Sequence, residues 1–212
     1  MATQVASKAS YVDAYRSMRE GALYLIIAFL LVSVGTIAVL PSLFPALSIR
    51  PLGLEAPLVS FVVLAILVII GGIVGLVGLW GKFVPGVRRL AELSPEFETS
   101  STLIRVGLLW GIIVMMIGAV LLLVIVGIFV MIAAAILMIL GYVGLIMLMF
   151  KLHDVEKSGL YLAAGILFII GIFVPIASFI AWILLYAALG ESIRKAGAAP
   201  TTPTAPAPVS PS

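Results

Sequence analysis

From Val106 to Phe150 the chain runs for 45 residues drawn only from Ala, Val, Ile, Leu, Met, Phe, Trp, Tyr and Gly. Water cannot solvate such a segment. At about 1.5 Å rise per residue a single helix of that length would reach roughly 67 Å, twice a hydrocarbon core of about 30 Å. The stretch must double back, so it holds two membrane spans. The expected fold class is therefore all-α, a polytopic helical membrane bundle.

The whole chain agrees with this. Of its 212 residues 64% are hydrophobic and 10% charged, against about 45–50% apolar and 25% charged in soluble domains. Little is left for a separate soluble domain. The net charge of +3 does not point to nucleic acid, because the basic residues sit between apolar spans, where Lys and Arg set orientation. Cysteine is absent, which excludes disulfides, a thiol nucleophile, an iron–sulfur site and palmitoylation. Asparagine is absent too, and Gln4 is the lone glutamine, a hyperthermophile tendency that eight methionines oppose. No cleavable signal peptide is expected, since some twenty largely polar residues precede the first span.

Residues 9–20 place Tyr11, Tyr15 and Met18 on one helical face, which predicts a short helix lying at the interface. Spans follow at about 22–40, closed by Pro41 and Pro45, and at 58–80, closed by Trp80. The connection 41–57 reads as an interfacial loop. Residues 81–102 carry Lys82, Arg88, Arg89, Glu92, Glu96 and Glu98 and read as the largest polar stretch between spans. Thr99, Ser100 and Ser101 offer an N-cap for the next span. The long apolar run divides near Gly127 into spans at 103–125 and 128–150, and a polar knot follows at Lys151–Lys157.

The final apolar segment, Ser158–Gly190, reads either as one strongly tilted helix or as two arms, 159–174 and 176–190, broken at Pro175. Charge counting favours two. With five spans the basic residues divide 9 inside to 3 outside; with six they divide 11 to 1. The expectation is thus six spans as three hairpins (five being the alternative), with the N-terminus cytoplasmic. Residues 1–195 form the membrane domain. Residues 196–212, with five prolines in the last thirteen, form a disordered Pro/Thr/Ala tail.

Two stretches, Arg19-Glu-Gly-Ala-Leu-Tyr-Leu-Ile-Ile and Gly165-Ile-Leu-Phe-Ile-Ile-Gly171 running on to Trp182-Ile-Leu-Leu-Tyr186-Ala-Ala-Leu-Gly190, resemble a family of small archaeal membrane proteins, domain of unknown function 973. The resemblance covers roughly residues 10–195 and implies an archaeal cell-membrane protein. It brings no assigned activity and no site residues.

Ionisable residues within spans mark ion and proton paths, and here all nine acids lie in loops or ends, which argues against ion-coupled transport. His153 stands beside Asp154, but neighbours on a helix point about 100° apart, and with Glu156 they make too small a ligand set for a metal. No serine sits in a nucleophile elbow, so no catalytic residue, metal or cofactor is expected, and the chain is not expected to be an enzyme. Six methionines (Met115, Met116, Met131, Met138, Met147, Met149) fall in spans three and four and read as gap fillers. Gly71, Gly75, Gly78 and Gly81 lay small residues along span two at spacings of three and four, a close-packing face for a helix of the same chain or of a second copy. Pro175 is the candidate helix break. Partners are then the lipid bilayer and a second copy or membrane-protein complex. The functional expectation is a non-enzymatic membrane component working by helix association; the alternative is a carrier or channel for an uncharged or apolar solute.

Overall fold

The computed structural model describes residues 2–46, 55–121 and 126–197. Within them the backbone is helical apart from short turns, and six helices follow one another: α1 (Ala2–Ala46), α2 (residues 55–93), α3 (residues 95–121), α4 (Val126–Glu156), α5 (Gly159–Gly171) and α6 (Pro175–Gly197). They pair consecutively as three hairpins, α1–α2, α3–α4 and α5–α6, with α6 also packed on α1 and α5 on α4. The chain is thus an all-α bundle of hairpins. Five of its helices are long and apolar enough to cross a membrane. The exception is α5, whose 13 residues rise about 20 Å, short of a core of about 30 Å.

Several elements differ from expectation. Residues 9–20 are the first turns of α1 rather than a separate interfacial helix. Their apolar face is real, but Tyr15 and Met18 are buried, Met18 against Gly86 of α2 and Tyr15 with its hydroxyl on Glu156 of α4, which satisfies the stripe without lipid. Helix α1 also continues through Pro41 and Pro45 to Ala46, beyond the expected end of span one. Each proline removes its own N–H and frees the carbonyl four residues back, losses tolerated in membrane helices. The expected interfacial loop is narrowed to 47–54, outside the described residues, as are 122–125 and the tail from 198. Gly127 lies in the first turn of α4 and the described part of α3 stops at Leu121, so the run divides near Gly127 as expected.

The largest correction concerns residues 81–102. They are helix on both sides of a single turn at Ser94. Val84, Val87 and Leu90 recur at helical spacing and are buried, whereas Arg88, Arg89 and Glu92 face outward. An amphipathic helix of period 3.6 therefore extends span two. Helix α3 starts at Pro95 behind an extended Ser94, not at Thr99–Ser101. Proline suits that first position because its missing N–H has no partner there anyway.

Because each hairpin leaves and returns to the same end, that end gathers the start of α1, the end of α6, the 93–95 turn and the 156–159 turn. It carries every charge whose side chain is described, and we call it the base. The buried core is also there: Phe83, Phe97, Ile104, Leu148, Leu152, Tyr161, Phe168, Leu185 and Leu189 are all within 1% of full burial. An aromatic chain ties the hairpins together. Trp182 of α6 meets Phe83 of α2 edge-on at 5.3 Å and Phe168 of α5 at 5.1 Å, and Phe168 meets Tyr142 of α4 at 5.9 Å. Each such pair adds about 0.5–1.5 kcal/mol beyond area burial. Past this level the α1–α2 and α3–α4 arms share no extensive contact, and each presents Val, Ile and Leu outward.

Candidate functional site

Three of the four glycines singled out on α2 sit on α1. A Cβ at Gly71 would lie 2.9 Å from Val32 Cγ2 and 3.1 Å from the Ala28 carbonyl oxygen; one at Gly75 would lie 3.3 Å from Ala28 Cβ; one at Gly78 would meet Tyr24 and lie 3.0 Å from the Gly21 carbonyl oxygen. Small residues thereby let the two backbones approach, which supplies the packing that hydrophobicity cannot supply inside lipid. Gly81 does not join them. It is exposed, and a Cβ there would reach only Val77 of its own helix at 4.0 Å. The cause is a π-helical turn at Leu79–Phe83, which adds a residue to the turn and rotates everything after it.

A second glycine seam escaped the sequence reading. Gly107 and Gly111 of α3 face α4, and Gly141 and Gly144 of α4 face α3. A Cβ at Gly141 would stand 2.5 Å from the Leu108 amide nitrogen, and one at Gly144 2.8 Å from that of Ile104. The signal was present as the four-residue spacing of Gly107 and Gly111. Met138 and Met131 bend over Gly111 and Gly118, the gap-filling role expected of them. Helix α3 also carries a π-helical turn, Arg105–Trp110. Both π turns contain a tryptophan, a glycine and a basic residue (Trp80, Gly81 and Lys82; Trp110, Gly107 and Arg105), and both fall at the level where the packed base gives way to the arms.

Polar side chains of the base pair with each other across long sequence distances. Tyr15 Oη donates to Glu156 Oε1 at 2.7 Å, joining α1 to α4. The Tyr161 and Ser192 hydroxyls lie 2.9 Å apart and are buried. Ser158 Oγ donates to Glu191 Oε2 at 3.3 Å, and Lys195 pairs with Glu191 at 2.7 Å. Lys82 Nζ reaches Glu20 Oε2 at 2.7 Å, while its carbonyl oxygen accepts from Ser17 Oγ at 2.8 Å. Lys151 donates to the Glu96 carbonyl oxygen. Arg19 spreads its guanidinium over the Tyr186 ring, 4.4 Å from the centroid, against Gly190, where an added Cβ would come within 3.3 Å of it.

His153 is not in a loop: it ends α4, half-buried, and Nδ1 donates to the Ser158 carbonyl oxygen at 2.9 Å. It thus closes the turn into α5. That turn needs Lys157 in the left-handed region, at φ 51°. Among the described residues no group of three His, Cys, Asp or Glu is placed to hold a metal ion.

Pro175 opens α6 after a three-residue reversal, Ile172–Val174. Beside it Gly171 lies against Ser178, and the Ser178 hydroxyl bonds that of Tyr142 on α4. A groove of about 340 Å³ runs here, lined by Met138, Ile139, Tyr142, Val143, Gly171 and Ile172. No curated protein and no solved structure matches this chain. A family model does, described as "Protein of unknown function (DUF973)", over residues 12–212 and so including the tail; the chain belongs to that family.

Proposed function

We propose that this protein is a non-enzymatic component of an archaeal cell membrane that acts by lateral association of its arms, with a second copy or within a larger membrane complex. The observation that carries the reading is a pair of outward rails. On α2 the exposed residues Val59, Val62, Ile66, Ile69 and Ile73 recur at spacings of three and four; on α4 Phe129, Ile132, Ile136, Ile139 and Val143 do the same. This is the spacing of a helix–helix seam. All but Phe129 are β-branched, so their rotamers are already restricted and little side-chain entropy is lost on packing. The inward glycines are spent on the hairpins themselves, which leaves the rails as the association surface. Tyr15 with Glu156, Tyr161 with Ser192, Lys82 with Glu20 and Ser158 with Glu191 pair across the base, which supports a structural role for them. Buried Ser100 Oγ and Arg19 Nε have no hydrogen-bond partner among the described residues. The basic residues concentrated at the base support a cytoplasmic placement of both termini.

The test exploits the absence of cysteine. A single cysteine at Ile69 or Ile136 in native membranes, oxidised with copper phenanthroline, should give a disulfide-linked dimer or, with a cysteine-bearing neighbour, one discrete larger adduct. Only monomer from both variants would overturn the proposal. A second reading, a carrier for an apolar solute, draws its support from the groove beside the α5–α6 turn. Saturable binding of a fluorescent isoprenoid alcohol, lost on Val143→Trp, would favour it.

A further inference from the structure

We infer that α5 and α6 form a re-entrant hairpin, which enters the bilayer from the base side, turns within the hydrocarbon and returns, so that its tip is solvated by acyl chains. The two flanking arms measure its reach independently. Phe29 of α1 stacks on Phe179 of α6 at 4.8 Å between ring centroids. From that level α6 climbs only four residues to Pro175, about 6 Å, while α1 climbs seventeen to Ala46, about 25 Å. On the other flank Tyr142 meets Ser178. There α6 climbs three residues, about 4.5 Å, and α4 runs sixteen to Val126, about 24 Å. Both arms therefore outreach the tip by roughly 20 Å, and from Glu191 to Pro175 α6 rises only about 24 Å, so the tip stops inside a core of about 30 Å, short of its far side.

The chemistry of the tip suits that depth. Ile172, Phe173, Val174 and Ile176 are all exposed, Phe173 at 83%, and no polar side chain lies between Gly171 and Ala177. A turn in lipid is tolerable only if its amides find partners. Here Ile172 N–H donates to the Ile169 carbonyl oxygen at 3.3 Å, those of Phe173 and Val174 to that of Ile170 at 3.0 Å, and that of Ala177 to that of Val174 at 2.9 Å. Pro175 has no N–H to satisfy. At the hairpin's opposite end stand His153, Lys157, Glu191, Arg194 and Lys195, which hold it at the headgroups. A tip in water would expose a cluster of large apolar side chains, and a tip at the far headgroups would need a hairpin roughly 6–10 Å longer than it is.

Nitroxide labels on single cysteines read this depth directly. The full chain would be labelled in turn at Ile166, Ile169, Phe173, Ile176 and Ile180, all exposed, and reconstituted in phosphatidylcholine–phosphatidylglycerol vesicles. Collision with oxygen and with a nickel chelate then gives depth. Oxygen collision without nickel access at Phe173, matching a label at Val34, which the α1–α6 register puts at the same height, is the expected result. Two maxima, near Ile166 and Ile180, with nickel access at Phe173, would show a hairpin that crosses. Nickel access at all five positions would show one that stays outside the bilayer. Either would overturn the inference.

Discussion

Replacing Gly141 by alanine tests whether close backbone approach holds the α3–α4 arm together. The added Cβ would stand 2.5 Å from the Leu108 amide nitrogen and 2.8 Å from the Gly107 carbonyl carbon, and ordinary contact begins at 3.4 Å. Both obstacles are backbone, so no rotamer change relieves them and the helices must part by about 0.9 Å. A gap of 0.5–1 Å forfeits a quarter to a half of each dispersion contact; across on the order of 50 atom pairs at about 0.15 kcal/mol each, the loss is about 2–4 kcal/mol. That agrees with the roughly 1–3 kcal/mol seen for overpacked cores. The higher helix propensity of alanine returns at most about 1 kcal/mol, for a net loss of about 2 kcal/mol. The assay is equilibrium unfolding in dodecylmaltoside by added dodecyl sulfate, followed by circular dichroism. Gly81→Ala is the matched control: its Cβ meets only Val77 at 4.0 Å, so it should leave the transition in place or raise it slightly. Equal midpoints for Gly141→Ala and the unmodified chain, within about 0.5 kcal/mol, would refute the packing argument.

Two further outcomes follow from the base. Tyr15→Phe removes the donor to Glu156 and should cost about 1 kcal/mol in the same titration, a charge-assisted bond discounted for the partial exposure of Glu156; an unmoved midpoint would mean that this link does not hold α1 to α4. Lys157→Gly should stabilise by about 1 kcal/mol, because φ 51° is strained for a side chain and free for glycine; a lower midpoint would show that the lysine side chain contributes more than its backbone strain costs.

Which parts of this architecture were legible depends on how each residue reports its surroundings. Span existence was legible from the apolar run 106–150, because hydrocarbon leaves few alternatives. The helix spanning 84–93 was overlooked for the opposite reason: Arg88, Arg89 and Glu92 look like a loop until Val84, Val87 and Leu90 are counted at three-residue intervals. Gly71, Gly75 and Gly78 were recognised as a seam, but spacing alone does not say whether the other side is α1 or a second copy. Gly81 belonged to the same pattern on paper and left it in space because a π-helical turn shifts the phase, and no single residue type announces such a turn. The α3–α4 seam was hidden in a run so uniformly apolar that its glycines had no contrasting face to define them.

The charge tally that preferred six spans over five measured parity rather than crossing. Counting Lys and Arg on each side establishes only that the C-terminal Arg194 and Lys195 share a side with Arg16, Lys82 and Lys151, and any even number of crossings satisfies that. A hairpin that turns within the hydrocarbon crosses zero times and satisfies it equally. The discriminating quantity is length, and α5 has only 13 residues where a crossing needs about 20. The 11-to-1 division and the short final hairpin are therefore compatible, and together they put the bulk of α6 beyond Tyr186 at the base, where Tyr161, Ser158 and Arg19 are positioned to pair with it.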